Sequence, residues 1–134
     1  MFPHNKLKSR LFQTIENSFL NKNGTEKYKF LVIGKQDIYF VRHHSDSPYK
    51  DSEENIKGML GFLVDNIYVV VGDQVFQQSV GIPLGMNCAP LLTELFLYSY
   101  EAEFVQKPSQ DDYKKLAVSF HHTFRYIDDI WQAL

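Results

Sequence analysis

The chain has 134 residues and a mass of 15.7 kDa, which is the usual size of one domain. With 44% hydrophobic, 22% charged and 15% aromatic residues, it is not a wholly disordered chain and can form a sizeable core. Its net charge of −2 excludes a histone-like polycation. The charge is uneven, with 9 basic and 4 acidic side chains in residues 1–50 and 5 basic and 12 acidic in residues 51–134. A basic half that meets phosphate and an acidic half that holds metal would explain this split, and chance explains it equally well.

Cys88 is the only cysteine, so the sequence excludes an internal disulfide and a cysteine-based zinc site. The first ten residues contain no apolar signal region, and the apolar stretches are far shorter than the roughly 20 residues of a membrane span. We therefore expect a soluble intracellular protein without a membrane partner, and the sequence does not distinguish a nuclear from a cytoplasmic location.

The first predicted element is an amphipathic helix over residues 5–20, with Asn5 as its N-cap. Two runs of β-branched and aromatic residues, 28–34 and 37–43, then predict a hairpin. Residues 45–54 predict a polar loop. The apolar face of the helix is expected to contain Leu7, Leu11, Phe12, Ile15 and Phe19.

A second helix follows this loop, with Asp51 or Ser52 as the predicted N-cap. After it, the runs 67–71 and 74–80 flank Gly72-Asp73, which predicts a hairpin with a two-residue turn. The face of the second helix is expected to contain Ile56, Met59, Leu60, Leu63 and Ile67.

A third helix is predicted over residues 88–106, followed by a polar loop over 107–113 and a final apolar segment. Helices mixed with antiparallel hairpins predict an α+β fold. The third helix carries two adjacent stripes, both expected in the core: Leu91, Leu95, Tyr98 and Ala102, and beside them Leu92, Phe96 and Ser99.

The final apolar segment contains two neighbouring carboxylates, Asp128 and Asp129, within the run FRYIDDIW. Burying two carboxylates is costly unless a cation compensates them. The pair therefore predicts either an exposed turn between two strands or a metal site. From the pair alone an exposed turn is favoured, because aspartate is common in turns.

Two motifs in this sequence resemble those of a known enzyme family. The run YIDD at 126–129 resembles the Tyr-x-Asp-Asp signature of reverse transcriptases. Upstream, FQQSVGIPLGMNCAPLL resembles their second palm motif, which reads Gly-x-Pro-x-Gly, then Ser/Ala-Pro, then an apolar helix. The residues of these two motifs are most similar to those of Penelope-like and related animal retroelement reverse transcriptases. The resemblance covers about residues 3–134. The residues that match the second motif are Gly81, Pro83, Gly85, Ala89 and Pro90.

The resemblance implies that residues 1–134 are a partial reverse transcriptase domain, a fragment of the polymerase palm in which antiparallel hairpins pack on about three helices. It implies a parent activity of RNA-templated DNA synthesis by two-metal nucleotidyl transfer, with an RNA template, a DNA primer and a dNTP as partners. It also implies that Asp128 and Asp129 are catalytic residues that bind Mg²⁺. The residues that it implies for nucleotide and template binding are Gln78, Gly81, Pro83 and Gly85. From the residues alone, Gln77 and Gln78 belong equally well to a solvated strand face.

The sequence departs from the family in three respects. Phe2-Pro3-His4-Asn5 resembles the tail of the preceding palm motif, but no Asp or Glu occurs before Glu16 to match the metal-binding Asp of that motif. Leu84 stands where many reverse transcriptases have Gln, and leucine cannot make a polar nucleotide contact. The fingers and thumb are also expected to be absent. The alternative is therefore a non-catalytic, palm-derived binding or interaction protein, and a small α+β domain unrelated to nucleic acid requires both motifs to be accidents.

Three other features have weaker functional interpretations. The pairs His43-His44 and His121-His122 are more typical of partly exposed histidines than of a zinc site. Cys88 is expected to pack near the start of the third helix. A basic patch on the first helix is expected either to contact phosphate or to be a solvated face, and it contains Lys6, Lys8 and Arg10.

Overall fold

The computed structural model describes residues 2–82, 85–106, 118, 123–126 and 129–132. These residues form an α+β fold of three helices and antiparallel β-sheets, as the sequence predicts. In this part of the chain, no helix is long and apolar enough to cross a membrane.

Helix α1 spans His4–Ser18, and its N-cap is Pro3 rather than the predicted Asn5. Pro3 has φ −62° and ψ 148°, an extended conformation that suits proline before a helix, and its carbonyl oxygen accepts from the N–H groups of Lys6 and Leu7 at 3.1 Å. Asn5 lies within the first turn, where its Oδ1 accepts from the N–H of Lys6 at 2.7 Å. The prediction was therefore wrong at the cap and right for the helix.

A three-stranded antiparallel sheet follows α1. Strands β1 (Phe30–Ile33) and β2 (Ile38–Val41) form the predicted hairpin, with Phe30 opposite Val41. Strand β3 (Lys50–Asp51) pairs with the other edge of β1, so the order is β2-β1-β3. The sequence prediction of a loop over 45–54 was wrong for these two residues, which form a strand because β1 offers them a free edge.

Helix α2 spans Glu53–Asp65, and the hydroxyl of Ser52 caps it by accepting from the N–H of Asn55 at 3.2 Å. After α2, strands β4 (Tyr68–Val71) and β5 (Gln74–Gln77) form the predicted second hairpin. Its turn contains Gly72 at φ +61°, a left-handed conformation that glycine adopts without strain.

Helix α3 spans Ala89–Gln106, close to its predicted bounds. Strands β6 (Thr123–Tyr126) and β7 (Asp129–Gln132) then form an antiparallel pair in which Tyr126 lies opposite Asp129. The final apolar segment therefore contains the strand pair that the sequence predicts.

The main core lies where α1 packs against α2 and α3. Two predicted core faces were wrong in part: Met59 and Leu63 of α2 are exposed, as are Leu91 and Tyr98 of α3. Helix α3 carries apolar residues on several sides, and Leu92 and Phe96 are the members of its predicted stripes that are buried in the main core. The buried residues of this core are Leu7, Leu11, Leu60, Val64, Leu92 and Phe96.

Candidate functional site

The loop that resembles the second palm motif follows β5 and leads into α3, and the N-terminal segment of residues 2–4 lies beside its start. The N–H of Gly81 donates to the carbonyl oxygen of Phe2 at 2.9 Å. The backbone N–H of His4 donates to the carbonyl oxygen of Ser79 at 3.1 Å, and Pro3 forms a β-bridge with Val80. These contacts join two segments that are distant in sequence.

The imidazole of His4 adds a third hydrogen bond, from Nε2 to the carbonyl oxygen of Gly81 at 2.9 Å. His4 is buried at the start of α1. Gly81 has φ +79°, a left-handed conformation that would strain any residue with a Cβ. The first glycine of the motif is therefore required by the backbone.

The second described glycine of the motif, Gly85, has no such requirement. It is exposed, and no described atom lies within 4 Å of the position that a Cβ would occupy. Within the part of the chain that the structure describes, neither its backbone nor its packing explains why the residue is glycine. Pro83, between the two glycines, lies outside the described residues.

The amide groups of Gln77 and Gln78 both bind backbone carbonyls. Nε2 of Gln77 donates to the carbonyl oxygen of Asp65, and Nε2 of Gln78 donates to that of Val80, each at 2.7 Å. The hydrogen bond of Gln78 therefore stabilises the short segment between β5 and Gly81. The sequence offered no signal for this role, because the acceptors are backbone atoms.

Two open clefts flank the loop. A cleft of about 470 Å³ with both polar and apolar lining lies beside the residues that precede Gly81, and His4, Asn5 and Gln78 are among its lining residues. An apolar cleft of about 360 Å³ lies on Gly81 itself, lined also by Phe2, Ile82 and Phe96 among others. A ligand with both polar and flat apolar parts would meet suitable surfaces on both sides of this loop.

The Tyr-x-Asp-Asp run is described only in part. Tyr126 ends β6, and Asp129 begins β7 as its pairing partner. Asp129 is therefore the first residue of a strand, and Asp128 lies outside the described residues. Among the residues that the structure does describe, no group of three or more His, Cys, Asp and Glu side chains is placed to hold a metal ion.

The remaining histidines give no metal site where they can be described. His43 and His44 are exposed, and Nδ1 of His44 lies 3.3 Å from Oδ1 of Asp46. His121 and His122 lie outside the described residues. Cys88 is partly buried and packs against the main core, as expected.

Two cations of the predicted basic patch are ion-paired. Lys8 Nζ lies 2.7 Å from Oδ1 of Asp65, and Arg10 Nη1 lies 2.5 Å from Oε2 of Glu103. The hydrogen bond that Arg10 donates to Glu103 raises the pKa of Arg10, whose guanidinium also lies 4.1 Å from the ring centroid of Tyr100. These contacts tie α1 to α2 and α3, so they are structural, and the distant partners could not be read from the sequence.

The structure also contains a buried, ion-paired carboxylate that was not predicted from the sequence. Glu53 lies in the first turn of α2, where the helix dipole favours a negative charge. Its oxygens lie 2.5 Å from Nζ of Lys27 and 2.7 Å from Nζ of Lys57. The hydrogen bonds from Lys27 and Lys57 lower the pKa of Glu53 below its ordinary value.

Comparisons of the chain with models of known protein families, with curated proteins and with solved structures find no match.

Proposed function

We propose that this chain is part of the palm of a reverse transcriptase of the Penelope-like kind, whose parent activity is RNA-templated DNA synthesis. The observation that carries the proposal is the set of hydrogen bonds between residues 2–4 and 79–81. His4 and Gly81 are 77 positions apart, and each lies in a segment that resembles a palm motif. Accidental matches have no reason to meet in space, whereas motifs that serve one substrate do.

The two glycines of the loop are consistent with close approach of a nucleotide or template strand to the backbone. Gly81 is required by its left-handed backbone, but no atom of the described residues lies within 4 Å of the position that a Cβ of Gly85 would occupy. A glycine that neither packing nor φ requires is useful where another molecule comes close to the backbone. In this proposal Gly81, Pro83 and Gly85 contact the nucleotide and template, with Gln78 beside them in the cleft of about 470 Å³.

The carboxylate pair supports the catalytic part of the proposal by its chemistry. Carboxylate oxygens are the ligands that Mg²⁺ prefers, so Asp128 and Asp129 are the residues that would hold it. When bound, Mg²⁺ stabilises the attacking and leaving oxygens of a nucleotidyl transfer. The backbone of Asp129 suits this role, because Asp129 begins β7 and is paired with Tyr126 of β6.

The proposal is tested by Mn²⁺ titration of the labelled chain, followed by NMR. Mn²⁺ replaces Mg²⁺ at oxygen sites and broadens the resonances of nearby amides. We expect broadening at residues 128 and 129 that grows when a dNTP is added and not when the nucleoside is added. Two carboxylates supply too few ligands for an octahedral ion, and the triphosphate supplies more.

The matched control is Asp73→Asn, because Asp73 is an exposed carboxylate in the turn of the other hairpin. The broadening at 128 and 129 should persist in this variant and disappear in Asp128→Asn. Equal broadening at residues 73 and 128, without a response to the triphosphate, would contradict the proposal.

A second candidate is a non-catalytic, palm-derived binding or interaction protein. The β4–β5 hairpin favours it, because all eight of its residues are exposed and most are apolar. A two-stranded hairpin is only marginally stable in water on its own, so an exposed apolar hairpin gains stability when a partner covers it. Binding of an RNA–DNA hybrid with no Mn²⁺ response at residues 128 and 129 is the result that selects this candidate.

A further inference from the structure

The imidazole of His4 holds the start of the glycine-containing loop from a buried position. His4 is 9% exposed, and its Nε2 lies 2.9 Å from the carbonyl oxygen of Gly81. A carbonyl oxygen can only accept a hydrogen bond. Nε2 of His4 therefore carries a hydrogen atom and is the donor. The backbone N–H of His4 also donates to the carbonyl oxygen of Ser79, so His4 binds the segment after β5 at two points.

Gly81 is held by its own backbone groups on both sides. Its carbonyl oxygen accepts from His4, and its N–H donates to the carbonyl oxygen of Phe2 at 2.9 Å. The two peptide planes that flank Gly81 are thus both oriented by the N-terminal segment. Because Gly81 has a left-handed φ of +79° and no Cβ, few other constraints act on its conformation.

We propose that His4 is a positioning residue for Gly81, whose backbone it holds in the orientation that lets a nucleotide or template strand approach the apolar cleft on this glycine. The ligand named here rests on the proposed function, whereas the clamp on Gly81 does not. Of the three hydrogen bonds between the segments, only the one from the imidazole depends on a side chain. A site that is fixed before its ligand arrives binds with less loss of entropy.

Two substitutions separate the hydrogen bond from the volume of the side chain. His4→Leu fills similar space but cannot donate. His4→Gln has an amide N–H that reaches about as far as Nε2 of histidine, so it can still donate to Gly81. A purely space-filling role predicts that leucine is the better replacement, and a positioning role predicts that glutamine is.

The clamp is tested by amide hydrogen exchange, followed by NMR on the whole chain. In His4→Leu we expect the Gly81 amide to exchange roughly tenfold faster, the size of effect that one hydrogen bond supports. In His4→Gln the wild-type rate should return. The amide of Ile33, which donates to Tyr49 in the distant sheet, is the control and should not change. An unchanged Gly81 rate in His4→Leu, or equal acceleration of Gly81 and Ile33, overturns the inference.

The role in ligand binding is tested by labelling with a photoreactive azido-dATP in the presence of an RNA template and a DNA primer. We expect label within residues 81–90 in the wild type, severalfold less in His4→Leu, and recovery in His4→Gln. Equal labelling of His4→Leu and wild type overturns the positioning role. If the wild type takes no label while Gly81 exchange still responds to His4→Leu, the proposed function fails and the clamp stands.

Discussion

Replacement of Glu53 by glutamine should destabilise the folded chain by about 2 kcal/mol at neutral pH. The Glu53 side chain is 7% exposed, and its Oε1 lies 2.7 Å from Nζ of Lys57, which is 19% exposed. A hydrogen bond between charged groups contributes about 1.5–3 kcal/mol, and the estimate counts this bond alone. The second bond, to Lys27, is left out because Lys27 is 54% exposed and water screens its charge. Lys57 keeps Glu16 as an ion-pair partner, so the loss should lie in the lower half of that range.

The contribution of Glu53 should also depend on pH in a defined direction. The hydrogen bonds from Lys27 and Lys57 lower the pKa of Glu53 from its ordinary 4.5. A carboxylate whose folded-state pKa is lowered stabilises the fold fully above the unfolded-state value, and this stabilisation is lost as pH falls through the lowered value. The difference between wild type and Glu53→Gln should therefore be largest near neutral pH and shrink in acid.

Urea unfolding of both proteins at about pH 7 and about pH 3.5 measures this difference. Glu54→Gln is the matched control, because Glu54 lies in the same helical turn and is exposed. It should change the free energy of unfolding by less than about 0.5 kcal/mol at either pH. A Glu53→Gln loss no larger than that of the control, or a loss that grows in acid, would refute the assignment of Glu53 as a buried ion-paired anchor of α2.

Leu92→Ala should cost about 3–4 kcal/mol in urea unfolding, because Leu92 is fully buried. Leu91→Ala, next to it and 59% exposed, should cost less than about 0.5 kcal/mol, and equal losses would show that the other stripe of α3 is also core. Gly81→Ala should cost about 1–2 kcal/mol in the same assay because of its left-handed φ, and no loss would mean that the loop relaxes freely. The purified chain with RNA template, DNA primer, dNTPs and Mg²⁺ should give no detectable primer extension, since two carboxylates are too few ligands for a fixed ion. Extension that disappears in Asp128→Asn would contradict this. Asp129→Asn should be neutral or slightly stabilising in thermal unfolding at neutral pH, because it removes repulsion between neighbouring carboxylates. A clear fall in melting temperature would reveal a structural partner for Asp129.

The helices and hairpins were predictable because each depends on residues close in sequence. The two-residue turn at Gly72-Asp73 fixed the β4–β5 register, and the hydroxyl of Ser52 fixed the start of α2. Strand β3 was missed because Lys50–Asp51 is short and polar, and it is a strand only through the edge that β1 provides. The core stripe of α3 was ambiguous for a similar reason. A helix that is apolar on several sides does not reveal which side its neighbour will cover.

In the candidate site too, local features were predictable from the sequence and contacts between distant segments were not. Gly81 and Gly85 could be found from the sequence, because glycine and proline spacing is a local signal of a loop. The hydrogen bonds between residues 2–4 and 79–81 could not be predicted from the sequence. Two of the three join backbone atoms, which almost every residue supplies. The third hydrogen bond is donated by the imidazole of His4. Nothing in the sequence indicates that a histidine at the start of a helix binds a carbonyl oxygen 77 positions away. Backbone contacts survive most substitutions, so the imidazole is the one part of this clamp that a side-chain change removes. For that reason the dependence of the loop on the N-terminal segment can be measured at His4, and glutamine against leucine at this position separates a donated hydrogen bond from simple packing.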